Sequence, residues 1–325
     1  MKDFSAQPWA PFLVSPRFSN RPWGVSDLRP WFEISAKDEP IGEAWLTGDE
    51  CTILSGPHAG QKLGSLFASH PAEMLGTTAH AGSPLLIKLI FASEKLSVQV
   101  HPDDAMAQKY GEPRGKTECW YLLETKPGAQ LAVGLKEGVT LEAVKQGIEK
   151  GTLEESLNLL TVTPGDMIFV DAGTVHAIWP GVVVLEAQQN CDLTYRMYDY
   201  GRPRELHVEK SLEATKFGTR AGKVAPVVME DRARLMESEY FRLDRIPVKG
   251  SKTSQNLRQP DEAAAALSYL FVLAGSGKLV SSDGSFEPLA LTPCAVAAIP
   301  AAAGAFTVEG ELELVRISPR WPEQA

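Results

Sequence analysis

Two histidines, a glutamate and a glutamine in this 325-residue chain have the types and spacing to hold a divalent metal ion. Gln99-Val100-His101 falls in a strand-like run, where alternate side chains share a face, so Gln99 and His101 point the same way. Glu118 opens the next apolar strand, and His176 follows the turn Ala172-Gly173-Thr174-Val175. Two imidazoles, a carboxylate and an amide oxygen make a donor set that can leave a coordination position open for substrate. Singly, each residue says little: a histidine at a strand end is more often a hydrogen-bonded structural residue, and a glutamate there a solvated one. Lys88 lies in the apolar run Leu85–Phe91, where an ammonium is expected to serve a ligand, a phosphate among the candidates.

The elements that must position these residues are mostly short strands. Leu85–Phe91, Leu96–His101, Cys119–Leu123, Gln130–Val133, Met167–Val170, Val182–Glu186 and Thr194–Tyr198 are apolar runs bounded by Gly, Pro, Asp or Asn. A helix is expected over Leu141–Lys150, capped by Thr140 and stopped at Gly151, and a second over Leu153–Leu160. A weak repeat adds to this. Trp120-Tyr121-Leu122-Leu123 followed by Thr163-Pro164-Gly165 has the rhythm of Tyr269-Leu270-Phe271-Val272 followed by Thr292-Pro293-Cys294. The fold class expected is mostly β: two cupin-like jelly-roll barrels with a small helical insert at about 137–160. The catalytic, metal-binding unit would span 1–235 and a degenerate cupin-like unit 236–325. In the second copy His176 falls opposite Ala305 and Glu118 near Leu267, so that copy keeps the strands and lacks the ligands.

A net charge of −9 argues against a nucleic-acid partner, while a few local cations can still hold a small phosphorylated substrate. The four cysteines form no CxxC pair, which fits a reducing compartment, and Lys2, Asp3 and the nearby prolines give no secretory signal, so the protein is expected in the cytoplasm. The uncharged stretch Leu289–Phe306 contains Pro293, Pro300 and Gly304, and reads as two strands around a turn with no membrane span.

Several segments resemble the type I phosphomannose isomerases. Leu96-Ser97-Val98-Gln99-Val100-His101-Pro102-Asp103-Asp104 is similar to that family's LSxQxHPD signature, and Gly115-Lys116-Thr117-Glu118-Cys119-Trp120-Tyr121 to its GKxExWY segment. Gly173-Thr174-Val175-His176-Ala177 resembles its GTxHA turn, and Thr194-Tyr195-Arg196-Met197-Tyr198-Asp199 its TYRxYD segment. Pro22-Trp23-Gly24, Gly42-Glu43-Ala44-Trp45 and Leu86-Ile87-Lys88 match motifs near its N-terminus. Order and spacing agree from about residue 20 to 215, and the chain looks like the short bacterial form. Asp171, where the family has proline, and Trp179-Pro180 depart from the pattern; Trp179 is expected at the pocket mouth.

The resemblance implies one divalent metal ion, zinc, on Gln99, His101, Glu118 and His176, with Ser97, Lys116, Glu186 and Arg196 as further active-site positions. It implies interconversion of mannose 6-phosphate and fructose 6-phosphate through an enediol. Glu186 would move the proton, Arg196 stabilise the enediolate, Lys116 bind a sugar hydroxyl, and Ser97 and Lys88 bind substrate. The bland reading of Glu186 is a strand end paired with Arg196. Expected partners are a small sugar phosphate, no nucleic acid and no membrane, with a monomer favoured. A metal cupin oxygenase and a non-catalytic sugar-phosphate sensor are the rival classes; Gln99 and the lack of a third histidine count against the first.

Overall fold

Alternation along three strands organises the protein. In the computed structural model, which describes residues 9–77, 82–258 and 266–321, Ile87, Leu89, Phe91, Cys119, Tyr121, Leu185 and Ala187 pack into one core. Their sequence neighbours Ile90, Ala92, Trp120, Leu122, Val182 and Val184 pack into another on the opposite face. A sheet whose two faces are both apolar must be covered on both sides.

This central sheet has seven strands in the order Gly222–Val224, Met167–Val170, Glu118–Thr125, Val182–Gln189, Leu85–Ala92, Ile41–Trp45 and Arg17–Val25. On one side lies a five-stranded sheet, Tyr195–Tyr198, Val98–Val100, His176–Ile178, Gln130–Leu135 and Leu157–Thr161, whose Leu131, Val133 and Ile178 fill the shared core. The outer face of that sheet is closed by the helices Leu141–Lys150 and Val208–Ala214. On the other side a nine-stranded sheet contributes Phe271, Val296, Val315 and Ile317 to the core of Ile87, Leu89 and Leu185. It is built around the long pairing of Phe241–Thr253, Phe306–Pro319 and Ser268–Ser281, and the N-terminal strand Phe12–Ser15 joins it beside Val296–Ile299. The mostly β class is as expected; among the described residues the three sheets have open strand orders.

The helix Leu141–Lys150 forms as its signals predict: the Thr140 hydroxyl accepts from the Ala143 amide at 3.2 Å, and Gly151 ends it at φ 70°. The second expected helix does not form. Leu153–Ser156 makes one 3₁₀ turn, and Leu157–Thr161 is a strand on the edge of Gln130–Leu135. Without a side-chain cap at Thr152, the short helix loses to a ladder already offered by its neighbour. The uncharged stretch resolves into strands Leu289–Leu291 and Val296–Ile299 before Phe306–Pro319 begins. Among the described residues no helix is long and apolar enough to cross a membrane. Lys2 and Asp3 lie outside the described residues.

Among the C-terminal strands Arg242, Asp244, Arg316, Ser268 and Ser318 are buried, and Asp244 pairs with Arg234 at 2.8 Å. Among the described residues the only metal-type cluster of histidine, cysteine and carboxylate side chains is His101, Glu118 and His176.

Candidate active site and metal centre

Strand register assembles the site. Glu186 stands opposite Lys88 on one neighbouring strand and Trp120 on the other, and Gln188 stands opposite Glu118. In the facing sheet Gln99 lies between His176 and Arg196. Lys88, Glu118 and Glu186 share the face of Trp120 and Val184, so they project between the two sheets. There they line a cavity of about 570 Å³ together with Ser97, Gln99, Lys116 and Arg196.

His101 and His176 sit behind Glu118, all three buried, with ligand atoms within 4.8 Å of one another. The Nδ1 of His101 lies 3.0 Å from the Leu193 carbonyl and that of His176 lies 2.8 Å from the Thr174 carbonyl. A carbonyl only accepts, so each Nδ1 carries the proton and each Nε2 presents a lone pair. Those Nε2 atoms are 3.6 and 3.5 Å from the Glu118 carboxylate. Burial, then the nearby Lys116, holds His101 well below the ordinary imidazole range, and burial pushes His176 down to about 4. Both rings are therefore neutral near pH 7.

This arrangement fits a cation. His101 Nε2 is a buried acceptor without a hydrogen-bond partner, 3.6 Å from Glu118 Oε2, an arrangement of two facing acceptors that is costly unless something electropositive lies between them. Gln99 Nε2 is 3.2 Å from His176 Nε2, and Gln99 Oε1 accepts from Ser97 at 3.2 Å. A half-turn of the amide exchanges the two atoms, turning its oxygen to the histidine side while the NH₂ meets the Ser97 hydroxyl. The loop beneath is built to bring His176 in: Gly173 adopts φ 94°, and a Cβ there would lie 2.6 Å from the Lys216 side chain.

Lys88 is a buried cation of the cavity, 3.2 Å from Glu186 Oε1 and 3.9 Å from Glu43. Burial pulls its pKa down, but Glu186 and Glu43 outweigh burial and raise it. Glu186 accepts from the Trp120 indole at 3.0 Å through Oε2 and has no aligned hydrogen-bond donor at Oε1. Burial, then the nearby Glu118 charge, raises the Glu186 pKa against the opposing pull of Lys88 and Lys116. Lys116 Nζ lies 3.3 Å from Glu118.

Two expectations about neighbours are corrected. Arg196 makes no ion pair with Glu186: its Nη1 donates to the Glu205 carbonyl at 2.8 Å, and the cation beside Glu186 is Lys88. Trp179 does not line the cavity; it packs against the core on the outer face of the five-stranded sheet, with Lys95 4.2 Å from its ring centroid. Sequence reasoning left out Arg21, Glu43, Asp192 and Arg204, which also line the cavity. Glu43 could have been found as the charged residue of the buried strand Ile41–Trp45, where it accepts from Arg21 at 2.9 Å and Trp45 at 2.8 Å. Arg204 lies in a loop with no periodicity to mark it. In all, five cations and four carboxylates line the cavity of a chain whose net charge is −9. The site is locally inverted in sign, as an anionic substrate needs.

Comparison with known proteins agrees with this geometry. The phosphomannose isomerase type I catalytic domain matches residues 12–138. A probable mannose-6-phosphate isomerase of Bacillus subtilis, GmuF, is 34% identical over 95% of this chain and 99% of its own. A mannose-6-phosphate isomerase of Streptococcus mutans is 31% identical over 94% of this chain and 97% of its own. The crystal structure of the mannose 6-phosphate isomerase from Bacillus subtilis superposes with a TM-score of 0.83 at 30% identity, covering 95% of this chain and 99% of that one. Near-complete coverage at this identity, on the same strands that bring the histidines and glutamates together, establishes that the chain belongs to the type I phosphomannose isomerase family.

Proposed function

We propose that the protein is a metal-dependent aldose–ketose isomerase interconverting mannose 6-phosphate and fructose 6-phosphate. The observation that carries the reading is His101 Nε2, a buried acceptor without a hydrogen-bond partner 3.6 Å from the buried Glu118 carboxylate, with a second buried carboxylate, Glu186, lining the same cavity as Glu118. One divalent ion, zinc, would be held by His101, His176, Glu118 and the Gln99 oxygen, a set of borderline nitrogen and oxygen donors suited to it. With the ion bound, the site gains a Lewis acid that polarises the sugar oxygens at C1 and C2.

The chain's own groups do the proton work. Glu186 takes the C2 proton of the aldose at Oε1 and returns it to C1, while the hydroxyl proton passes from O2 to O1. Its raised pKa suits a base that must both accept and give back a proton. Lys88 holds Oε1 in place and balances the carboxylate charge. Lys116 hydrogen-bonds a sugar hydroxyl, Ser97 orients Gln99, and Arg196 stabilises the enediolate, with Arg204 and Arg21 near it for the phosphate.

We further propose that residues 1–235 form the catalytic cupin-like unit, in which the five- and seven-stranded sheets face each other. Residues 236–325 would form the main part of a second, non-catalytic unit. Four buried, unpaired cysteines support a reducing cytoplasmic setting, and a monomer is the working state proposed. A coupled assay for fructose 6-phosphate formation, run before and after chelation and again after zinc is restored, tests the reading. Activity that survives complete chelation overturns the metal role, and no turnover of mannose 6-phosphate with metal bound overturns the substrate.

A further inference from the structure

We infer that Asp104 and Tyr240 are positioning residues that fix Lys116 in the cavity, the Tyr240 phenol linking the C-terminal segment to the loop that carries it. The inference rests on the role proposed for Lys116. The Lys116 ammonium reaches Glu118 from the loop Gly115-Lys116-Thr117, which carries no secondary structure of its own. Each backbone amide of that loop is nevertheless held. The Gly115 amide donates to Asp104 Oδ1 at 2.7 Å, the Lys116 amide to the Pro102 carbonyl at 2.9 Å, and the Thr117 amide to Gln189 Oε1 at 2.9 Å.

Asp104 joins these contacts. The same Oδ1 accepts from Gln189 Nε2 at 2.9 Å, and Oδ2 accepts from the Tyr240 hydroxyl at 3.1 Å. One carboxylate therefore sets the loop and the buried amide side chain that clamps the loop's other end. Its own orientation is fixed by a residue 136 positions away, just before the strand Phe241–Thr253. A Cβ on Gly115 would lie 2.4 to 2.7 Å from backbone atoms of residues 102–104, so the loop seats on this platform without space to slide. Hydrogen bonds to an ionised acceptor are the stronger kind, and three converge here.

The test is a mutant cycle on the full-length protein loaded with zinc, reading kcat, KM, zinc content and melting temperature. Tyr240→Phe removes one hydroxyl and should lower kcat roughly threefold to tenfold, the scale of one hydrogen bond. Asp104→Ala should lower it on the order of a hundredfold, the scale of misplacing a catalytic group by about an ångström. Zinc content should stay within about twofold in both, since neither residue is among the proposed metal ligands, and the loss should fall more on kcat than on KM. In a Lys116→Met background either replacement should cost less than about twofold more, because a group acting through Lys116 has nothing left to position. Losses that multiply in that background, or a Tyr240→Phe enzyme with unchanged kcat, overturn the inference and leave the role of Lys116 standing. A fully active Lys116→Met enzyme overturns the role of Lys116 itself. If Asp104→Ala does not fold, Tyr240→Phe with and without Lys116→Met decides alone.

Discussion

Lys88 and Glu186 face each other across adjacent antiparallel strands, their charged atoms 3.2 Å apart and both side chains less than 5% exposed. A buried pair of this kind can serve the fold or the chemistry, and replacing each partner separates the two roles. Glu186→Gln keeps the shape and the contact with the Trp120 indole but cannot take a proton, so turnover should fall by on the order of a hundredfold or more. If the pair is only structural, the variant should instead melt early, at a cost of about 3–5 kcal/mol, while the folded fraction turns over normally.

Lys88→Met tests the pair from the other side through pH. Lys88 lowers the Glu186 pKa while burial and Glu118 raise it, so removing the cation leaves only the upward pressures and Lys116. Glu186 then holds its proton to higher pH. The rising limb of kcat against pH should move upward relative to the unaltered enzyme. An unmoved or downward-moving limb excludes Glu186 as the group whose ionisation that limb reports.

The metal should bind at one ion per chain and survive mild acid. His101→Ala and His176→Ala should each abolish stoichiometric zinc by elemental analysis, and full occupancy in both would exclude the site. Because His176 protonates only near pH 4 in the folded chain, protons should compete little for it down to about pH 5. The same shift has a stability sign. An unfolded histidine takes a proton near pH 6.5, so between about 6.5 and about 4 the unfolded metal-free chain binds more protons than the folded one. Stability from this group is therefore full above pH 6.5 and is lost as pH falls toward 4, which acid titration of the melting temperature will show.

Arg196 should prove dispensable for folding. It is partly exposed, and its guanidinium donates to the Glu205 carbonyl, with no carboxylate partner from the catalytic strands. Arg196→Lys keeps the charge and loses the planar fork. Melting temperature and zinc content should hold while turnover drops on the order of a hundredfold. A normal turnover number would move the enediolate-stabilising role to another cation of the cavity.

Gly115→Ala should damage the site by packing alone. The added methyl would press on the backbone of residues 102–104, which cannot yield as a flexible side chain would. A loss of roughly 1–3 kcal/mol in stability is expected, with a larger proportional loss of kcat because the displaced loop carries Lys116. A stable and fully active variant would show that the loop has room to shift.

The gathering of the buried His101, Glu118 and His176 was legible because its signals are local. A period of two puts Gln99 and His101 on one face, and a Gly-Thr turn delivers His176 whatever the rest of the chain does. The helix Leu141–Lys150 was legible for the same reason, since a threonine cap and a terminal glycine act within four residues. Which cation meets Glu186 was not legible. Arg196 and Lys88 were both available in sequence, and only the pairing of Val182–Gln189 with Leu85–Ala92 selects Lys88. Register between distant strands likewise turned Leu157–Thr161 from helix to strand, carried Phe12–Ser15 to the C-terminal sheet, and brought Glu43, Arg204 and Tyr240 to the site or its supporting loop. Such pairings are chosen by the burial of whole faces and by hydrogen bonds between segments far apart in the chain, so the residues they join carry no mark of each other in their own neighbourhoods.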